Sequence, residues 1–200
     1  MNKLILKTAL ITLLSLFATL LIGVFSITLF APSFAGDCYF EIGLKDVAVS
    51  CYERAYLNSG SYDDLVELVD SASFSENDAL TASYGKTMIE RKLEFADFCA
   101  RSDEDTQSSF STYDYYATLI MFAFYDIGDK DSAVEICFNT LENGGYTDDS
   151  ALKMAVNMAK DDKELGNVIV TAYKSLSNRN FENNTQNKFK KDMTEMGYTI

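Results

Sequence analysis

Histidine is absent from all 200 residues. With it go the commonest general base, the Ser-His and Cys-His nucleophile pairs and the commonest metal ligand. Tryptophan is absent too. Proline occurs once, at Pro32, so almost nothing forces a helix to break. The four cysteines, Cys38, Cys51, Cys99 and Cys137, include no CxxC spacing and so form no metal-binding pattern. Charge is missing altogether from Thr8 to Gly36. Basic charge is scarce everywhere: 17 Lys and Arg stand against 30 Asp and Glu. All the acids lie at or beyond Asp37, and of the basic residues only Lys3 and Lys7 precede it. The chain after Gly36 thus carries 15 basic and 30 acidic residues, a net of −15. That balance excludes nucleic acid as a partner, because phosphate binding needs clustered Lys and Arg.

The uncharged N-terminal stretch is informative in turn. Leu10 to Phe30 is apolar but for scattered Thr, Ser and Gly. As a helix it would span roughly 31 Å, against a bilayer core of about 30 Å. A cleaved signal peptide has a shorter apolar region, so the length favours an uncleaved anchor. Ser33-Phe34-Ala35 supplies the small residues that cleavage would use, and Ala35-Gly36-Asp37 before Cys38 is an incomplete lipidation motif. Lys3 and Lys7 on one flank, with Asp37 and Glu41 on the other, put residues 1–9 in the cytoplasm. Residues 10–30 are then the transmembrane helix or signal anchor. Residues 32–200 form an extracytoplasmic domain.

That domain repeats itself. Ile42–Val49 reads IGLKDVAV and Ile127–Val134 reads IGDKDSAV, six identities in eight at an offset of 85 residues. The same offset pairs Tyr39 with Phe124, Asn58 with Asn143 and Gly60 with Gly145. Each copy reads as an apolar helix, a glycine suited to a left-handed C-cap, and a second helix opened by Lys-Asp. Ala48, Tyr52 and Ala55 share one face of that second helix, as do Ala133, Cys137 and Thr140.

This unit resembles the tetratricopeptide repeat. The family's order of small residue, aromatic, turn glycine, Ala, aromatic and Ala is met by Gly36, Tyr39, Gly43, Ala48, Tyr52 and Ala55. In the second copy Phe124, Gly128 and Ala133 match, whereas Met121, Cys137 and Thr140 depart. The offset is not a multiple of the family's 34-residue period, so the middle is expected to be irregular. The resemblance implies an all-α chain: one N-terminal transmembrane helix, then a short solenoid of antiparallel helix pairs. It also implies a concave groove lined by the first helix of each pair. There Phe40 and Glu41 coincide with Tyr125 and Asp126, and Phe122 lies one turn away. Such an aromatic and acidic groove would suit a peptide with basic and apolar side chains.

Between and after the copies the pattern predicts helices over Tyr62–Ala72, Asn77–Cys99 and Ser150–Lys160. A partner for the last follows on Leu165, Val168, Ile169, Ala172, Tyr173 and Leu176. Loops are expected over Ser102–Ser111 and Asn178–Asn187. A short cap on Phe189, Met193 and Met196 should close the stack. The acidic run Asp126–Asp131 is read as helix capping rather than a calcium loop. The cysteines are read as buried thiols, with disulfides permitted by export. Asn183-Asn184-Thr185 is a formal glycosylation sequon.

The expected function is a membrane-anchored tetratricopeptide-like scaffold that binds a protein or peptide partner outside the cytoplasmic membrane. No catalytic residue, metal ligand or cofactor is expected. The alternatives are an exported carboxylate-based enzyme and a solute- or cation-binding module.

Overall fold

The computed structural model describes residues 2–106, 112–143, 149–175 and 184–200. All regular structure in them is helical. The chain divides into two compact units, Met1–Ser75 and Glu76–Ile200.

The first unit opens with α1 (Asn2–Phe30). Within it, Lys7–Phe30 is the one segment among the described residues long and apolar enough to cross a membrane. Its 24 residues rise roughly 36 Å. Large apolar side chains from Leu10 to Phe30 are exposed all around the helix, as expected of a surface made for lipid. Four of its hydroxyls are satisfied internally. Thr12, Thr19, Ser26 and Thr28 each donate to the carbonyl four residues back, at 3.0, 2.9, 2.7 and 3.0 Å.

Only Ala31 separates α1 from α2 (Pro32–Glu41), and Pro32 takes the first helical position, where no N–H is needed. Ala31 N–H donates to the Ile27 carbonyl at 2.8 Å and Ala35 N–H to the Ala31 carbonyl at 3.0 Å. The junction therefore has no flexible spacer. Ala35 and Gly36 are buried in α2, so cleavage after Ala35 would cut through a packed helix. α3 (Lys45–Ser59) and α4 (Tyr62–Phe74) follow, and α3 packs against both α2 and α4. The core of this unit is Ala48, Tyr52, Ala55, Leu65, Leu68 and Val69.

The second unit holds α5 (Asp78–Glu90), α6 (Lys92–Thr106), α7 (Thr112–Asp126), α8 (Lys130–Asn143), α9 (Asp149–Asp161), α10 (Lys163–Ser175) and α11 (Asn184–Glu195). α7 packs against α5, α6 and α8; α9 packs against α10 and α11. Its core includes Met88, Phe95, Ile120, Met121, Cys137, Met158, Ile169 and Met193. Phe189 and Met193 of α11 are buried, and Met196 is half-buried. Behind them Tyr198 lies on Gly166, and its hydroxyl donates to the Ala159 carbonyl at 2.8 Å.

The two repeated sequences fold into the same turn. Gly43 and Gly128 have φ of 81° and 85°, the left-handed region that glycine enters without a Cβ penalty. Gly43 N–H donates to Phe40 and Leu44 N–H to Tyr39, at 3.0 and 2.9 Å. Gly128 N–H donates to Tyr125 and Asp129 N–H to Phe124, at 3.0 and 2.9 Å. Both are Schellman caps. The first helices end at Glu41 and Asp126, and the second begin at Lys45 and Lys130, each pair 85 residues apart.

Several expectations need correction. The predicted helix over 77–99 is broken at Arg91, between α5 and α6. The buried positions Thr81, Gly85, Met88, Phe95 and Cys99 stay in helical phase across the break, so periodicity could not reveal it. At the break Arg91 pairs with Glu94 at the start of α6. Residues 102–106 are helical rather than loop, and 107–111 lie outside the described residues. Asp103, in the expected loop, is half-buried and accepts from Thr112 N–H at 2.8 Å and its hydroxyl at 2.6 Å. The expected loop 178–187 yields to α11 from Asn184. Leu176 and Asn183 lie outside the described residues. On α10, Val168 is exposed, and Gly166 and Val170 are buried in its stead.

Candidate functional site

Phe40 and Glu41 stand at the end of α2 in the first unit. Phe122, Tyr125 and Asp126 stand on the last turns of α7 in the second. Phe40 is half-buried, edge-on to Phe74 with ring centroids 5.8 Å apart. Glu41 is exposed. In the second unit Phe122 is 45% exposed. Tyr125 is half-buried, with the Lys130 ammonium 5.9 Å from its ring centroid. Asp126 is exposed beside Asp78. Burial first, then the charges of Asp126 and Glu76, hold the Asp78 carboxyl above its usual range. The surroundings of Asp126 are thus strongly negative.

The exposed faces extend beyond these five residues. On α7, Tyr115 and Phe122 are exposed and Leu119 is half-buried, one turn apart along the helix, and Asp126 closes the stripe. The 85-residue offset pairs Leu119 with Phe34 and Asp126 with Glu41, both exposed on α2, but it pairs Phe122 with Asp37 and Tyr115 with Phe30 of α1. The first pair therefore shares the stripe only at Phe34 and Glu41.

Sequence reasoning placed a lysine at the start of each second helix but gave it no partner. Lys45 Nζ donates to the Phe74 carbonyl at the end of α4, at 3.1 Å, where a cation suits the helix dipole. Lys130 Nζ bonds Asp162, which precedes α10, at 2.9 Å. Asp162 also accepts from Glu164 N–H at 2.9 Å and Leu165 N–H at 3.1 Å. The Lys130 bond first, then these amides, hold its carboxyl below the usual range. Each lysine thus ties its pair to the next helix of the same unit. Asp129 accepts from Ser132 N–H at 3.2 Å and its hydroxyl at 2.8 Å, a capping role for one acid of the 126–131 run.

A second acidic group lies in the first unit. Tyr52 donates its hydroxyl to Asp37 at 2.7 Å, and Ser33 and Ser59 donate to Asp64. Burial, followed by Asp37, Asp64 and Asp63, raises the Glu67 carboxyl above its usual range.

A cavity in the second unit was also missed. It lies among α5, α6, α7 and α8 and encloses about 500 Å³. Ile89, Phe95 and Ile136 make its apolar lining, with Tyr113 stacked on Phe95 at 4.9 Å between centroids. Lys86, Glu90, Lys92 and Glu135 also line it. No motif marks these residues, because they come from four helices.

All four cysteines are free thiols. Cys51, Cys99 and Cys137 are buried and Cys38 is exposed. Burial raises the Cys51 thiol and pushes Cys137 up to about 12. Thiolate is the reactive form, so these two are unreactive near neutrality. In the folded full-length chain, a polyethylene-glycol maleimide at neutral pH should add once, at Cys38. After denaturation it should add four times. Gel shift reads the count, and rapid fourfold labelling of the folded chain would contradict the burial.

The fold and these surfaces define an all-helical protein with one N-terminal helix of membrane-spanning length. Compared with known proteins, the chain matches no family model, no curated protein and no solved structure.

Proposed function

We propose that this chain is a membrane-anchored, tetratricopeptide-like scaffold. Its helix pairs bind a basic and apolar peptide segment of a partner protein outside the cytoplasmic membrane. The observation that carries the reading is the stripe of Tyr115, Leu119, Phe122 and Asp126 on the outer face of α7, matched on α2 at Phe34 and Glu41. Monomeric soluble domains rarely leave such contiguous aromatic surface unused. Peptide-binding helices offer anchors at this i, i+4, i+7 spacing. The net of −15 beyond Gly36, and the acids around Asp126, favour a basic segment. The two flanking lysines at the N-terminus favour a cytoplasmic Met1 and an exported domain. The rigid junction through Ala31 and Pro32 would then hold the first unit close to the membrane surface.

The test uses the full-length chain in detergent micelles and fluorescent peptides that alternate Lys or Arg with Leu. Phe122→Ser with Asp126→Asn should weaken binding by about tenfold or more, as the loss of a central anchor does. The melting temperature should stay within about 2 °C, because both residues are exposed. Unchanged affinity in the folded variant sinks the groove. So does a collapse of the fold, which would make the stripe a packing surface.

A further inference from the structure

We infer that the cavity among α5, α6, α7 and α8 is a binding site for a short peptide with free amino and carboxyl ends and apolar side chains. It is a different site from the α7 stripe and does not depend on it.

The cavity's charge pattern is the starting point. Lys86 and Lys92 come from α5 and α6; Glu90 and Glu135 come from α5 and α8. None of the four forms a hydrogen bond or ion pair among the described residues. Lys86 and Glu90 stand four apart on one helix, within pairing reach, yet do not pair. Two lysines with open donors at one cavity are a place for a carboxylate. Two open carboxylates at the same cavity are a place for an ammonium group. A ligand that satisfies both is zwitterionic.

The rest of the lining fixes its body. Ile89, Phe95 and Ile136 give an apolar floor, and Phe95 is fully buried under it. Tyr113 and Asn139 add polar groups of the kind that bond a peptide amide. At about 500 Å³ the cavity falls in the range that encloses a drug-sized ligand, larger than a single amino acid needs. An apolar middle between unlike charges is the chemistry of a short peptide.

The experiment titrates the full-length chain in detergent micelles with trileucine, read by calorimetry. Saturable binding is expected. N-acetylation or C-amidation of trileucine should each weaken it about tenfold, the loss of one charge-assisted contact. K86Q/K92Q should bind free and amidated trileucine alike, and E90Q/E135Q should bind free and acetylated trileucine alike. These are surface changes, and circular dichroism should show an unaltered melt. Phe122→Ser should leave trileucine binding intact, so failure of the α7 stripe and failure of this site are separable. Equal affinity for free and doubly blocked trileucine overturns the proposal. No binding to a folded chain overturns it. Tighter binding of glycerophosphoethanolamine than of trileucine overturns it too, since the site would then read a lipid headgroup.

Discussion

Gly36→Met should destabilise the first unit by about 1–3 kcal/mol, as overpacking of a core does. Tyr52→Cys should destabilise it by about 2–4 kcal/mol, as large-to-small core changes do. The double variant should recover most of the combined loss. The reason lies in one contact. A Cβ on Gly36 would sit 2.8 Å from the Tyr52 ring, closer than real contacts allow. Tyr52 is buried, and its hydroxyl is held by Asp37, so the ring cannot swing away cheaply. Met in place of Gly36 therefore has nowhere to go. Cys in place of Tyr52 leaves a void where the ring was. The positions 85 residues on hold Met121 and Cys137, both almost fully buried. There a large residue stands at the first-helix position of Gly36 and a small one at the second-helix position of Tyr52. The volume has been exchanged across the pair and not lost. Transplanting the second copy's combination into the first should fill the space that each single change spoils. Thermal unfolding followed by circular dichroism, on the full chain in detergent, measures the cycle. Coupling of about 2 kcal/mol or more in the compensating direction is expected. Additive losses would mean that the two pairs pack differently despite their shared turn.

That exchange also explains which part of the fold was legible in the sequence. The turn could be read because its requirement is local: only glycine enters φ near 81° or 85° without strain. Six identities in eight around Gly43 and Gly128 therefore marked the same backbone geometry twice. The packing beneath it was read as departure, since Met121 and Cys137 fail the family's pattern. A pattern written position by position does not see a conserved sum of volumes. The membrane-spanning length of α1 was legible for the opposite reason. It depends on a run of uncharged residues and not on any partner. The break at Arg91 and the cavity were not legible. The first leaves the apolar period intact. The second is assembled from residues that are unremarkable on each of their four helices.

Gly85→Ala should destabilise the second unit by up to about 2 kcal/mol, where helix propensity alone forecasts a gain. Alanine in a helix interior is favoured over glycine by about 1 kcal/mol. Here the added methyl would overlap Ile120, whose Cγ1, Cδ1 and Cγ2 are the nearest atoms to it. Ile120 is fully buried and β-branched, so its χ1 has one comfortable setting in α7. The remaining escape is for α5 and α7 to move apart, which opens the core that Met88 and Met121 also fill. Overpacking of this kind costs about 1–3 kcal/mol and outweighs the propensity term. Ile120→Ala alone should also destabilise, by about 2–5 kcal/mol, through the void it leaves. In the double variant the new methyl occupies part of that void, so the sum of the two losses should not be reached. The same cycle reports on the cavity, because α5 carries Lys86 and Glu90 and α7 carries Tyr113. If α5 shifts, trileucine affinity should fall in Gly85→Ala and return in the double variant with the melting temperature. A Gly85→Ala chain that melts higher than the parent would show that α5 and α7 are not in close contact.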